Sequence, residues 1–164
     1  MIKIALGGGC HWCTEAVFQS LKGVEKVDQG YVASTGEQTE FSEAVIVHFN
    51  LDIISLKTLI EIHLHTHKST SNHSMRDKYR SAVYTFSEMQ NNEANEIINS
   101  FQTEFENKLI LKVYPFLQFK PSRKQLLNYY YSDPNKPFCE RFIEPKLKLL
   151  LKDFGRHIKT LGLD

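Results

Sequence analysis

Apolar residues follow two rhythms along this chain, and the rhythms alternate. Runs rich in Val, Ile and aromatic residues read as strands over residues 2–6, 24–33, 44–49, 81–86 and 109–116. Between them the apolar positions recur at helical spacing. Residues 14–22 turn Ala16, Val17, Phe18 and Leu21 to one side, and Gly23 closes the segment. Residues 55 to about 65 are helical, with Ser55 as N-cap and Leu56, Leu59, Ile60 and Ile62 as core contacts. Residues 87–107 predict a longer amphipathic helix. Ser87 opens it, Gln90 follows as in a capping box, and Ile97, Ile98, Phe101 and Phe105 face inward. Two more helices are expected over residues 124–131 and 140–159, with Pro145 near the first turn of the second or at a kink. Residues 34–37 read as a turn and 68–77 as an exposed polar loop.

The resulting order is β-α-β-β-α-β, then an extra α-β and two C-terminal helices. Split β-α-β units of this kind predict an α/β chain built as an α+β two-layer sandwich, with a ferredoxin-like core and extra C-terminal helices. No repeat, low-complexity tract or linker interrupts it, so residues 1–164 read as one domain.

Composition narrows the function classes. With 41% hydrophobic and 24% charged residues this is an ordinary soluble composition, and a net charge of +1 gives no basis for electrostatic capture of nucleic acid. No apolar run reaches membrane-spanning length, so no membrane association is expected. The chain opens on a strand rather than a basic segment with a hydrophobic core, which argues against a signal peptide and makes the cytoplasm the expected compartment. Three cysteines, an odd number, argue against a secreted disulfide framework.

The first strand runs into Gly7-Gly8-Gly9-Cys10-His11-Trp12-Cys13. That order puts Cys10 at a helix start, where free N–H groups and the helix dipole favour the thiolate. Cys13 lies one turn on, close enough for a disulfide that opens and closes. Two alternatives stay open on these residues alone: two buried small side chains, or a zinc site using Cys10, Cys13, Cys139 and a histidine. His63, His65, His67 and His73 cluster, as metal ligands or as a polar helix end that favours imidazolium. Glu43 before a strand, Tyr79 before another, and Tyr129-Tyr130-Tyr131 before Asp133-Pro134 are candidates whose plainer reading is surface or core packing.

Taken in order, these segments resemble the peptide methionine sulfoxide reductases of the A type. The family's Gly-Cys-Phe-Trp-Gly is similar to Gly9-Cys10-His11-Trp12-Cys13, and Glu15-Ala16-Val17-Phe18, Leu21-Lys22-Gly23-Val24 and Gly30-Tyr31 continue the likeness. Ser42-Glu43-Ala44-Val45 resembles the segment of the catalytic glutamate, and Lys78-Tyr79-Arg80-Ser81-Ala82 the family's Gln-Tyr-Arg-Ser-Ala. Asn128-Tyr129-Tyr130, Asp133-Pro134, Phe138-Cys139 and Pro145-Lys146-Leu147 resemble its C-terminal region.

The resemblance implies thiol-dependent reduction of methionine-S-sulfoxide, free or in proteins, as repair under oxidative stress. It implies no cofactor and a thioredoxin-type reductant. Cys10 is then the nucleophile, Glu43 the acid, kept protonated by burial away from cations, and Tyr79 a second donor to the sulfoxide oxygen. His11, Trp12 and Tyr129 line the substrate site. Cys13 and Cys139 are the candidate resolving thiols, Cys139 in a mobile C-terminal segment or else a lone tail thiol. Two rival functions use the same scaffold: a Cys/His metal-binding module, and a general thiol–disulfide oxidoreductase. Departures from the family pattern include His11 for phenylalanine, Cys13 for glycine, Lys68 and Ser74 for aspartates, and Leu126 for the histidine of Glu-Asp-Tyr-His.

Overall fold

A computed structural model describes residues 2–159. Its elements are β1 (Ile2–Gly7), α1 (His11–Gln19), β2 (Val24–Ala33), β3 (Ser42–Phe49), α2 (Leu56–Thr66), β4 (Ala82–Thr85), α3 (Glu88–Phe101), β5 (Lys112–Pro115), β6 (Gln118–Pro121), α4 (Tyr129–Ser132) and α5 (Glu144–Phe154). The six strands form one sheet in the order β5-β4-β1-β3-β2-β6. Its central four, β4-β1-β3-β2, are antiparallel throughout, the arrangement that two interleaved β-α-β units produce. The expected ferredoxin-like core is therefore present. β5 extends it in parallel beside β4, reached through α3, and β6 pairs antiparallel with β2.

Strand alternation explains the two layers. Ile4 and Leu6 of β1, with Val45, Val47 and Phe49 of β3, join Val17 and Phe18 of α1 and the apolar sides of α2, α3 and α5 in the main core. Burying a side chain such as Phe18 in full contributes about 1.5–3 kcal/mol. The intervening residues Ala5, Ala44, Ile46, Ala82 and Tyr84 face the other way, with Tyr114, Phe116 and Phe119 packed against them. None of the described helices is long and apolar enough to cross a membrane.

Local signals behave as their chemistry demands. Ser55 Oγ accepts the Thr58 N–H at 3.1 Å and Ser87 Oγ accepts that of Gln90 at 3.1 Å, caps that each contribute about 1 kcal/mol. The Gln90 side chain reaches back to the Phe86 N–H at 2.8 Å, one residue earlier than a capping box requires. Gly30 is needed where β6 crosses β2: a methyl group there would collide with the Lys120 carbonyl and the Phe119 ring. Gly30→Ala should cost about 1–3 kcal/mol, read as a lower urea midpoint at unchanged m-value.

Several expected boundaries move. α1 begins at His11, three residues early, because Cys10 rather than Thr14 ends the loop. α3 stops at Phe101 and tightens into a 3-10 turn, Gln102–Glu104, so residues 105–107 are not helical. The strand expected over residues 109–116 shrinks to Lys112–Pro115, and β6 was not foreseen: it is four residues long, on the sheet edge, and ends in proline. Residues 124–131 are not one helix. A 3-10 turn, Lys124–Leu126, is cut from α4 by Asn128 in the left-handed region at φ 54°. The last helix opens with a π-helical turn over Cys139–Ile143, and Pro145 stands at the start of α5, where proline is tolerated.

Candidate active site

The loop Gly8-Gly9 brings the chain from β1 to α1 with Cys10 as the helix cap. Gly8 has φ 151°, and a side chain on it would run into the His67 ring. Arg76 ties the same turn to the polar loop by donating to Gly8 O at 2.9 Å and Tyr79 O at 2.7 Å. The Cys10 carbonyl accepts the N–H groups of Cys13 (3.1 Å) and Thr14 (3.2 Å), so its Sγ is left to other donors. The Cys13 thiol and the Trp12 and Cys13 N–H groups are the favourable neighbours of that sulfur. These hold the Cys10 pKa below the ordinary cysteine range, against burial and the Glu43 charge, which push it up. Cys13 is shifted the opposite way, first because it donates to Cys10 and then by burial. All three cysteines are free thiols.

Glu43, at the start of β3 beside β2, is 5% exposed. Its Oε1 accepts the His11 N–H at 3.2 Å and lies 3.4 Å from His11 Nε2, and its Oε2 lies 3.6 Å from Lys78 Nζ. The expectation of burial away from cations is therefore wrong: the segment before β4 runs alongside β3, with the Glu43 N–H donating to Lys78 O at 3.0 Å, and brings the ammonium with it. Tyr79 is half-buried, with the same ammonium 5.1 Å from its ring centre. Tyr31 sets its ring edge-on to His11 at 5.1 Å.

The other wall comes from α4 and the π-helical turn. Tyr129 lies flat on Trp12, centroids 4.1 Å apart at 9°, and Phe138 meets both rings edge-on. One face of the indole is thus already covered. The buried carboxylate of Glu15 sets this stack: its oxygens accept the N–H groups of Asn128 and Tyr129, each at 2.9 Å. Burial raises the Glu15 pKa and those two N–H groups oppose the rise. Cys139 is fully buried and packs in one cluster with Cys13, Ala16, Tyr130 and Ile143. It is neither a tail thiol nor part of an exposed arm. Burial pushes its pKa up. Lys146, itself mostly buried and donating to the Thr66 carbonyl, lends positive charge near Cys13.

Two of the clustered histidines are occupied inside the fold. His63 and His67 stack at 4.2 Å and are spent on Gly7 O (2.8 Å), His63 O (2.5 Å) and Ser81 Oγ (2.8 Å). Burial depresses His63 to about 4 and His67 well below the usual histidine range. Among the described residues, three ligand-type side chains come within 4.8 Å of one another only at Glu61, His65 and Glu104, a group without a cysteine. Among the described residues, Cys10, Cys13 and Cys139 belong to no such group. The sequence singled out Glu15, Tyr31, Lys78 and Lys146 without giving them roles, and Arg76 was missed. A buried carboxylate answering two distant N–H groups leaves no local signal in the chain.

Residues 2–157 match the family described as peptide methionine sulfoxide reductase. The peptide methionine sulfoxide reductase MsrA of Deinococcus radiodurans is 34% identical over 168 residues, covering 93% of this chain and 82% of the relative. The reduced form of Mxr1 from Saccharomyces cerevisiae has a similar fold, with TM-score 0.73 at 23% identity over 84% of this chain and 88% of that one. The same yeast protein in complex with Trx2 superposes with TM-score 0.63 at 22% identity over 76% and 82%.

Proposed function

The chain belongs to the peptide methionine sulfoxide reductase family, and we propose that it reduces methionine-S-sulfoxide, free or within proteins, to methionine. The observation that carries this is the juxtaposition, at the start of one helix, of the Cys10 thiol at the cap and the buried Glu43 carboxyl group, which accepts the N–H of the next residue, His11. The Cys10 thiolate attacks the sulfoxide sulfur. As the S–O bond breaks, the oxygen takes a proton from Glu43 and a hydrogen bond from Tyr79. Methionine leaves, and Cys10 becomes a sulfenic acid. Trp12 and Tyr129, with His11 behind them, form the substrate wall.

A second thiol then condenses with the sulfenic acid, releasing water and leaving a disulfide. Cys13 is the resolving thiol on this reading, because it stands one turn from Cys10 on the same helix, close enough for a disulfide. Cys139 must first leave a fully buried position and serves as a later relay. A thioredoxin-type dithiol resets the enzyme by exchange. The yeast neighbour in complex with Trx2 supports that choice of reductant.

The test is consumption of the S but not the R epimer of dabsylated methionine sulfoxide with dithiothreitol as reductant. No consumption of either epimer overturns the reading. After one turnover without reductant, the Cys139→Ser protein should carry a Cys10–Cys13 bridge by peptide mass, with full yield in the first cycle. Sulfenic acid persisting in that variant would transfer the resolving role to Cys139.

A further inference from the structure

His11 stands directly after the nucleophile, where the family pattern has phenylalanine, and it is 4% exposed. Its ring has two polar atoms and the fold accounts for both. Nδ1 lies 2.8 Å from the Gly30 carbonyl oxygen. A carbonyl only accepts, so Nδ1 carries the hydrogen. Nε2 is then the atom that varies, and it faces Glu43 Oε1 at 3.4 Å in a pair whose side chains are 4% and 7% exposed.

Two bare lone pairs opposed in such a setting repel, and two hydrogens clash. One proton between them satisfies both atoms, either on the carboxyl or on the imidazole, and either way the pair is neutral. We propose that His11 and Glu43 hold one proton in common, and that this is the proton delivered to the sulfoxide oxygen. At 3.4 Å the two atoms are in ion-pair contact, just beyond ordinary hydrogen-bond length.

The step balances. Cys10 sulfur gives an electron pair to the sulfoxide sulfur, which is reduced by two electrons as its bond to oxygen breaks. Cys10 is oxidised by two electrons and ends bonded to that oxygen, which carries the one proton the pair has released. The pair is left as a carboxylate beside a neutral imidazole, with Lys78 Nζ 3.6 Å from Oε2 as countercharge, and solvent refills it. A neutral pair also spares the Cys10 thiolate, since a charged Glu43 works against it. The other groups facing the pair are the Tyr31 ring, the buried Glu15 carboxyl, whose charge is felt at His11, and, beyond Lys78, Tyr79. His11 reaches the reacting atoms through Glu43 and is a positioning residue.

This rests on the sulfoxide reductase reading, and the test separates the two. His11→Phe keeps the backbone N–H bond to Oε1 and an aromatic ring, so it removes the two ring nitrogens alone. It should slow the single-turnover reduction by about tenfold or more, as should His11→Gln, which hydrogen-bonds but holds no proton. The double variant with Glu43→Gln should be no slower than Glu43→Gln by itself. In wild-type protein with labelled histidine, the nitrogen resonances should give a protonated Nδ1 and an Nε2 between its bare and protonated positions, and Glu43→Gln should move Nε2 to one extreme. Losses that multiply in the double variant, or an Nε2 resonance indifferent to Glu43→Gln, overturn the shared proton. A wild-type protein inactive on the S sulfoxide overturns the reductase reading instead, while the resonances still decide the pair.

Discussion

Cys10→Ser abolishes sulfoxide reduction, by more than about a thousandfold in kcat/KM, without unfolding the protein. The exchange is nearly isosteric, the Cys10 side chain makes no cap bond, and the backbone contacts of the cap do not involve sulfur. A serine hydroxyl offers no anion at neutral pH and cannot accept the sulfoxide oxygen. The loss belongs to thiolate chemistry, and its pH behaviour follows from the cause of the pKa shift. Thiolate is present above the Cys10 pKa and lost as pH falls through it. The Cys13 S–H is the largest stabilising contact, so Cys13→Ala moves that midpoint up. Alkylation of Cys10 by iodoacetamide against pH measures it. A midpoint unmoved by Cys13→Ala would mean that the thiol contact does not hold the thiolate.

The second large effect is at Glu43. Glu43→Gln should lower the single-turnover rate by about 10²–10⁴-fold, the range for removing a positioned general acid. The amide keeps an oxygen for the His11 N–H, so α1 stays anchored. An amide at position 43 also carries no charge that could oppose the Cys10 thiolate. Alkylation of Cys10 in Glu43→Gln should therefore be no slower than in wild type, while sulfoxide consumption collapses. A parallel fall in both rates would assign Glu43 to thiol activation rather than to the oxygen.

Much of this site is legible in the chain because its chemistry is local. Glycine, cysteine and helix-forming residues in succession dictate a capped thiol, and the apolar alternation of β1 and β3 dictates which side of the sheet α1 covers. What escapes reading is long-range. Lys78 meets Glu43 only because the segment before β4 pairs with the start of β3. Asn128 breaks a helical-looking run because Glu15, 113 positions earlier, captures its N–H. Cys139 looks like a tail residue and is core, because the turn that carries it packs on Cys13 and Ala16.

The same short helix carries Cys10 at its tip and Cys13 one turn down, while Ala16, Val17 and Phe18 root it in the interior. With Cys13 as the proposed resolving thiol, oxidising equivalents are taken up and passed on within one turn of a fixed post. The first bridge of the proposed cycle asks for no rearrangement beyond that turn, and only the relay to Cys139 does.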